Sequence, residues 1–335
     1  MANMSQEQKN DHIDCLAWQP SASIEHLKRR AKLMAIIRDF FAKREILEIE
    51  TPLLSHASVT DPYVLGIPAR FQHHGATSET AVYLQTSPEY PMKRLLAAGS
   101  GSIYQISKAF RQGDMGRYHN PEFTLLEWYR LGFNHLDLMN EVDALLQTVL
   151  HCEPADRVTY SELFTTLLGI NPHTASTEQL MQYVQDHIEI TTVDNDRNTC
   201  LHLLLTHCIE PRIGRHRPLC IYDFPITQAA LAKIRDTENP PVASRFEVYF
   251  RGLELANGFH ELQDSDEQRE RFHQDILYRV KHQIPSVPID EHFLAALQAG
   301  LPDCAGVALG IDRLMMLALH ADSISDVMSF AFDRA

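Results

Sequence analysis

The stretch IYQISKAFRQGDMGRYHNPEFTLLEWYR, residues Ile103 to Arg130, decides the fold. Two apolar runs, Ile103–Phe110 and Glu122–Tyr129, flank a polar, glycine-bearing link. That pattern predicts two antiparallel strands joined by a long loop. Residues two apart in a strand share a face, so Phe123, Leu125, Glu127 and Tyr129 point one way. Thr124, Leu126 and Trp128 point the other. Two aromatic rings and a carboxylate on one face make a poor dry core. Arg111 leaves the first strand where a loop can fold over that face. Arginine, aromatic platform and carboxylate together suit a ligand with a phosphate, a flat base and an amine. For any single strand of this kind, a half-exposed structural sheet is the plainer alternative.

Outward from this stretch, composition sets limits. The chain has 335 residues, 44% hydrophobic and 22% charged, enough for one large globular domain or two. A formal net charge of −14 argues against a general nucleic-acid binder, which needs a basic footprint. Cys15, Cys152, Cys200, Cys208, Cys220 and Cys304 form no CxxC pair and no zinc spacing, as expected of scattered thiols in a reducing cytoplasm. His73-His74 lacks a nearby carboxylate or cysteine to complete a ligand set. The polar N-terminus carries no signal peptide, and no apolar run approaches the roughly 20 residues of a membrane span.

Along the chain, residues 1–20 read as a flexible tail and residues 21–335 as one catalytic domain. Leu27, Ala31, Met34, Ile37 and Phe41 recur at helical steps after a candidate N-cap, Ser23. Lys28, Arg29, Arg30 and Lys32 on this helix read as a solvated face. Leu47, Ile49 and Thr51 alternate with Glu48 and Glu50 and stop at Pro52, as in an edge strand. Val82–Gln85 is a short strand, followed by Thr86-Ser87-Pro88-Glu89 and a helix over Tyr90–Ala98 that Gly99 stops. Glu89 suits the positive end of that helix, and by itself it reads equally well as a helix-start carboxylate or as a ligand group. From about 134 to 215 the sequence reads as a helical insertion decorating the core, with helices at Leu136–Leu150, Glu178–Ile188 and Asn198–Cys208. Leu219–Phe224 and Arg245–Phe250 are further strands.

In GLELANGFHEL, residues 252 to 262, Glu254 and Ala256 are expected on one strand face. Glu254 and Glu261 either bridge a Mg²⁺–triphosphate and a ligand ammonium or are solvated turn residues; the residues alone allow both. Finally Gly306-Val-Ala-Leu-Gly310-Ile-Asp-Arg313 is a glycine-bearing strand running into a helix. Gly310 permits close backbone approach to a nucleotide, and the permanent charge of Arg313 suits a polyphosphate.

FR, a loop and HNPEFTLLEWY resemble motif 2 of the class II aminoacyl-tRNA synthetases in its lysyl form. The helix, strand and proline at residues 24–52 are similar to motif 1, and Gly306–Arg313 is similar to motif 3. The resemblance covers about residues 20 to 335, with the motifs in family order. It implies an α+β fold, an antiparallel sheet flanked by helices, in a homodimer, and activation of an amino acid as its adenylate with ATP and Mg²⁺. It also implies roles. Arg111 holds the α-phosphate and Phe123 stacks on adenine, with Gln112, Gly113, Asp114, His119, Asn120, Leu255 and Gly310 around the nucleotide. Glu254 acts through the metal and Arg313 on the γ-phosphate side. Ser87, Pro88 and Glu89 hold the backbone end of the amino acid. Glu127, Tyr129 and Glu261 surround its side-chain ammonium, and Ala308 lines the floor.

A lysyl-tRNA synthetase carries an anticodon-binding barrel before motif 1, and the sequence predicts no such domain here. A lysine-type core alone resembles the elongation factor P lysine ligase family. That resemblance implies transfer of lysine, preferably (R)-β-lysine, to a lysine of elongation factor P in the cytoplasm, with no membrane and no tRNA. Two departures stand out. Gly113 occupies the place of a motif 2 glutamate, with Asp114 next to it, and Ala308 replaces a glycine usual in lysyl synthetases. The other readings are a minimal enzyme charging tRNA, a catalytically silent regulatory protein, and a ligase releasing a small amide.

Overall fold

The structure is a computed structural model and describes residues 18–190 and 196–335. The expected tail at 1–20 lies outside them except for its last three residues. The strands are β1 Leu47–Glu48, β2 Leu54–Ser55, β3 Ile67–Phe71, β4 Thr80–Leu84, β5 Ile103–Phe110 and β6 Glu122–Leu131. Then follow β7 Asp156–Thr159, β8 Leu219–Pro225, β9 Ile234–Arg235, β10 Val242–Phe250, β11 Leu253–His260 and β12 Cys304–Gly310. The helices are α1 Ile24–Ala42, α2 Glu89–Ala97, α3 His135–Leu150, α4 Tyr160–Leu168, α5 Thr177–His187 and α6 Arg197–Leu204. After them come α7 Ser265–Lys281, α8 Glu291–Gly300 and α9 Ile311–Leu319.

The main sheet runs β1-β5-β6-β12-β11-β10-β8-β7, with β9 beside β10; β2, β4 and β3 form a small second sheet. From β5 through to β8 every pair is antiparallel, as expected. The short edge strands β1 and β7 pair parallel with β5 and β8. Each reaches its partner by a long crossover, the connection a parallel pair requires.

Alternation divides the sheet into two faces. Leu126 and Trp128 of β6, Val307 and Leu309 of β12 and Val248 of β10 enter the main core. There they meet Leu138, Val142 and Leu145 of α3, Ile37 and Phe41 of α1, and Leu314 and Met315 of α9. Trp128 stacks edge-on to Phe41 at 5.3 Å and donates from Nε1 to Glu141 Oε2 at 3.0 Å.

The helical insertion expected over 134–215 is therefore divided. Its first helix, α3, forms one wall of the main core, because its apolar stripe lies flat beneath β12, β11 and β10. The segment also holds a strand, β7, that extends the main sheet. Only α4 to α6 form a separate cluster, around Tyr160, Phe164, Leu180 and Leu201, packed on β8 and β10.

Helix α1 starts at Ser23, whose side chain accepts from His26 N. Of its expected stripe, Ile37 and Phe41 are buried, Leu27 and Met34 half-buried, and Ala31 exposed, while Phe40 joins the core instead. The basic face of α1 is not uniformly solvated. Arg30 turns inward, pairs with Asp312 Oδ1 at 2.7 Å and donates to Thr124 Oγ1 at 3.2 Å. Asp312 Oδ2 in turn accepts from Thr124 N at 2.7 Å. Three elements, α1, β6 and α9, meet on one carboxylate that is 2% exposed.

Removing one partner of a buried pair leaves the other without compensation and costs about 3–5 kcal/mol. Asp312→Ala should accordingly lower stability by about 3 kcal/mol or more in urea titration. A loss under about 0.5 kcal/mol, the range of ordinary surface changes, would show that the carboxylate does not hold these elements together.

Candidate active site

The second face of the sheet carries the site. Paired residues in adjacent strands point the same way, so the register aligns Gln105, Glu127, Ala308, Asn257 and Glu247 in one row across five strands. A parallel row holds Ile103, Tyr129, Gly306, Phe259 and Arg245. Along the central strand β12 this face shows Cys304 at its start and then Gly306, Ala308 and Gly310, a low floor between taller walls. Gly306 is obligatory: a Cβ there would collide with the Tyr129 ring and with Glu261 Oε1. At Gly310 a Cβ would meet nothing nearer than the Arg313 side chain at 3.8 Å, so the space above it is open.

At one end of the floor, carboxylates gather. Glu89 opens α2, Glu127 projects from β6, and Glu261 follows β11. Tyr129 donates its hydroxyl to Glu127 Oε1 at 2.7 Å, and Glu127 Oε2 is buried without a partner. Ser87 caps the approach to α2 by accepting from Glu89 N at 3.1 Å, and its hydroxyl reaches Glu127. Pro88, the buried residue before the helix, turns the chain so that Glu89 faces this cluster. Burial, followed by the charge of Glu89, pushes the Glu127 carboxyl up to about 8. Burial also raises Glu261, to about 7, against the pull of a buried lysine.

That lysine, Lys93, was not singled out in the sequence. Its Nζ lies 2.7 Å from Glu89 Oε1 and 2.6 Å from Glu261 Oε2, with 1% of the side chain exposed. Burial works against its charge, but Glu261 and Glu89 outweigh that and hold it charged. The spacing Glu89–Lys93 was the available signal, and such i,i+4 pairs ordinarily lie on exposed helix surfaces.

At the other end, the sequence-predicted nucleotide residues converge. The Arg111 guanidinium lies over the Phe123 ring, 5.0 Å from its centroid, and its Nε is buried without a partner. Burial lowers its pKa, while the Asp114 and Glu254 charges oppose the shift. Arg313 donates from one terminal nitrogen to the Glu254 carbonyl at 2.8 Å, and the other meets His119 Nε2 at 2.7 Å. Burial and the nearby guanidinium groups push the His119 imidazole down, so it stays neutral and accepts. Gly113 sits at φ +87° in the connecting turn, where a glutamate would be strained, and Asp114 turns its charge toward Arg111 and His119.

Several expected residues stand differently. Gln112 donates its backbone N–H to Leu65 O at 2.8 Å and leaves its side chain exposed. The Asn120 amide donates to Glu122 O and accepts from Phe332 N, so it pins the C-terminus instead of offering itself to a ligand. Leu255 buries its side chain in the main core. Glu254 and Ala256 do not share a face: β11 carries an extra residue opposite Val248/Tyr249, and this bulge re-aims Glu254 into the site while Ala256 enters the core. Bulges leave no mark in simple alternation, which is why this reading failed.

Two further residues were missed. Glu247 lies in the floor row and adds its charge to Glu254, whose carboxyl is raised by burial first and by Glu247 second. Water reaches 41% of the Glu254 side chain and moderates that shift. Asn257, between Ala308 and Glu247, holds a buried Oδ1 with no partner. From Glu127 to Phe123 along β6 is four residues, about 13 Å at ~3.3 Å each. The site thus has an anionic pocket and a cationic, aromatic one on the same strand.

Residues 4–334 match the family described as class II tRNA synthetases (D, K and N). A protein of Vibrio cholerae named elongation factor P–(R)-beta-lysine ligase is 54% identical over 320 residues, 95% of this chain and 98% of its own. Proteins of the same name from Salmonella gallinarum and Salmonella dublin are each 53% identical over the same shares. The chain belongs to the class II (D, K and N) tRNA synthetases, in the branch of the elongation factor P–(R)-beta-lysine ligases.

Proposed function

We propose that this enzyme activates lysine, in its (R)-β form, with ATP and transfers it to a lysine side chain of elongation factor P. One observation carries the chemistry: a buried carboxylate pocket and a pocket of two arginines, one of them over an aromatic ring, share the low floor of β12. The first suits the ammonium groups of a diamino acid, the second a nucleoside triphosphate.

In the first step the substrate carboxylate oxygen forms a bond to the α-phosphorus and the bond to the β-phosphate bridge breaks, giving the acyl-adenylate and pyrophosphate. Arg111 holds the α-phosphate and Phe123 the adenine, while Arg313 lies toward the γ-phosphate. Glu89, Glu127, Tyr129 and Glu261 fix the ammonium groups, with Ser87 and Ala308 shaping the pocket. The enzyme works by placing the two reactants and offsetting phosphate charge, with no covalent intermediate on the protein. In the second step an acceptor amine attacks the acyl carbon, an amide forms and AMP leaves with the electrons of the broken acyl–phosphate bond.

Mg²⁺ fits this site. Glu254 offers hard oxygens, its carboxyl is raised partly by the adjacent charge of Glu247, and a dication relieves that repulsion. Glu247 is already tied to Arg245 at 2.5 Å and to the Tyr249 hydroxyl at 2.6 Å, so Glu254 would be the ligand. One carboxylate with substrate phosphates is the usual manner of binding this ion. Bound there, it would neutralise phosphate charge.

The acceptor is read from the names of relatives that this chain matches over nearly their whole length. Their protein substrate, the net charge of −14 and the lack of a long basic stretch favour a protein over tRNA. A homodimer through α1 and β1 is supported by the exposed Ile36 of α1 and Leu47 of β1. Free thiols at Cys152, Cys200, Cys208, Cys220 and Cys304 support a cytoplasmic setting. Among the described residues, no helix is long and apolar enough to cross a membrane.

Glu261→Gln should cut lysine-dependent ATP–pyrophosphate exchange by about 10- to 150-fold, matching ~1.5–3 kcal/mol for a charge-assisted hydrogen bond. Parental activity in that variant would remove Glu261 from the pocket. Ala308→Gly should change the ratio of kcat/KM between α- and β-lysine roughly tenfold, since one methyl in a pocket is worth about 1–3 kcal/mol. An unaltered ratio would mean the methyl does not meet the substrate.

To identify the acceptor, enzyme, ATP and labelled lysine are incubated with elongation factor P or with bulk tRNA. Intact mass should show one lysyl unit on the factor, with precipitated tRNA unlabelled. The rate on the factor should rise from pH 7 toward 9, because its amine, with an ordinary pKa of about 10.4, attacks only unprotonated. Labelling of tRNA as fast as adenylate formation would instead identify a minimal synthetase.

A further inference from the structure

Resting on the function just proposed, we infer that Lys93 is a positioning residue of the amino-acid pocket. It clamps Glu89 and Glu261 together and so sets how many substrate ammonium groups the pocket accepts. Its Nζ lies between the two carboxylates, 2.7 and 2.6 Å away, on a side chain that is 1% exposed. No solvent shares the charge, and the helix α2 that carries Lys93 also carries Glu89.

The charged and titratable groups nearest this ammonium are Glu89 of its own helix, Glu127 of β6, Glu261 at the end of β11 and Cys304 of β12. Tyr90 and Tyr129 stand beside these carboxylates, and Asp290 and Arg94 line the cavity at Glu89. The Phe293 ring of α8 closes the remaining side, with Nζ 5.7 Å from its centroid. Once ionised to receive ammonium groups, the three carboxylates without Lys93 would carry three negative charges in a largely buried space. Lys93 cancels one of them.

The two that remain match a substrate with two ammonium groups, the shared feature of α- and β-lysine. Lys93 also fixes geometry. Taking one oxygen from each of two carboxylates on different elements, it holds Glu89 against Glu261, whose Oε1 packs over Gly306. Glu127, which Lys93 does not contact, keeps Oε2 unpartnered in the pocket. A ligand ammonium is the missing partner of that oxygen.

The charge of Lys93 opposes the upward shift of Glu261. Without it, Glu261 would hold its proton to higher pH, and a protonated carboxyl is a poor acceptor for an ammonium. The acid limb of kcat/KM for lysine would move up accordingly.

The test is lysine-dependent ATP–pyrophosphate exchange from pH 5.5 to 9 in the full chain and in Lys93→Met and Lys93→Arg. In Lys93→Met the KM for lysine should rise at least tenfold and the acid limb should move up by about one pH unit. The KM for ATP should stay within twofold of parental, a separation that general damage to the fold would not give. Lys93→Arg keeps the charge but spreads the carboxylates around a longer, planar cation. Its KM for lysine should rise with the limb unmoved. Where Lys93→Met fails to fold, Lys93→Arg decides, and a parental KM for lysine in it overturns the inference. A parental limb and KM in folded Lys93→Met also overturn it. Absence of lysine-dependent exchange in the unaltered chain would overturn the proposed function itself, an outcome distinct from either.

Discussion

Close packing of Tyr129 and Glu261 over Gly306 is the contact on which the rest of the site depends. The central strand β12 must satisfy β6 and β11 at once and present large side chains to the core through Val307 and Leu309. On its other face it must stay low, because Tyr129 and Glu261 lie where a Cβ of residue 306 would be. Neither demand can move without the other, since a one-residue slip in register would exchange the two faces. The pocket therefore inherits its shape from the same pairing that builds the core. The helices serve that division: α1, α3 and α9 fill the core face, while α2 and α8 close over the site face near Tyr129.

What could be read in the sequence was what alternation and local chemistry encode. The two faces of β6, the helix start at Ser23 and the stop at Gly99 follow from residue type and spacing, whereas the convergence of Arg111, Phe123 and Arg313 is implied by the resemblance to the synthetase motifs. What escaped depends on partners distant in sequence. The bulge opposite Val248/Tyr249 exists only because β10 and β11 pair, and it alone sends Glu254 into the site. Arg30 reads as one more solvated cation until Asp312, nearly 300 residues away, is brought beneath it. Lys93 has a surface-like spacing to Glu89, and only Glu261 shows that the pair is buried. Asn257 and Glu247 acquire meaning from the row across five strands, an arrangement no linear pattern displays. Helix α3 looked peripheral because an apolar stripe does not say which wall it covers.

The electrostatics of the carboxylate pocket are unfavourable by construction. Glu127, pushed up to about 8, and Glu261, pushed up to about 7, both exceed the ordinary glutamate value of 4.5. The folded chain therefore binds more protons than the unfolded one between those values. Stability drawn from these groups is present below about 4.5 and declines as pH rises through 7 to 8. At neutral pH the protein holds carboxyls that the fold would prefer protonated, and part of its stability is given up to keep them there. A diamino acid reverses the balance, since its ammonium groups stabilise the ionised carboxylates that burial opposes. Lys93 lessens that cost, because its ammonium lies between Glu89 and Glu261 and offsets one charge.

The opposite pocket follows the same physics with signs exchanged. Burial lowers the pKa of Arg111, and the Arg313 charge adds to that lowering, while Asp114 and Glu254 oppose it. Two guanidinium groups held near one another repel until phosphate oxygens lie between them, just as the carboxylates repel until an ammonium does. A neutral His119 accepting from Arg313 completes the arrangement, since a protonated imidazole there would add a third cation. Under the proposed function each half of the site stores repulsion that its own reactant would relieve, and the two reactants would be drawn to opposite ends of β6. Their reacting atoms, a carboxylate and an α-phosphate, would then meet over the bare stretch between Ala308 and Gly310. That stretch is the one part of the floor with neither strong charge nor bulk, so the strand that best fits the core also leaves room for the reaction.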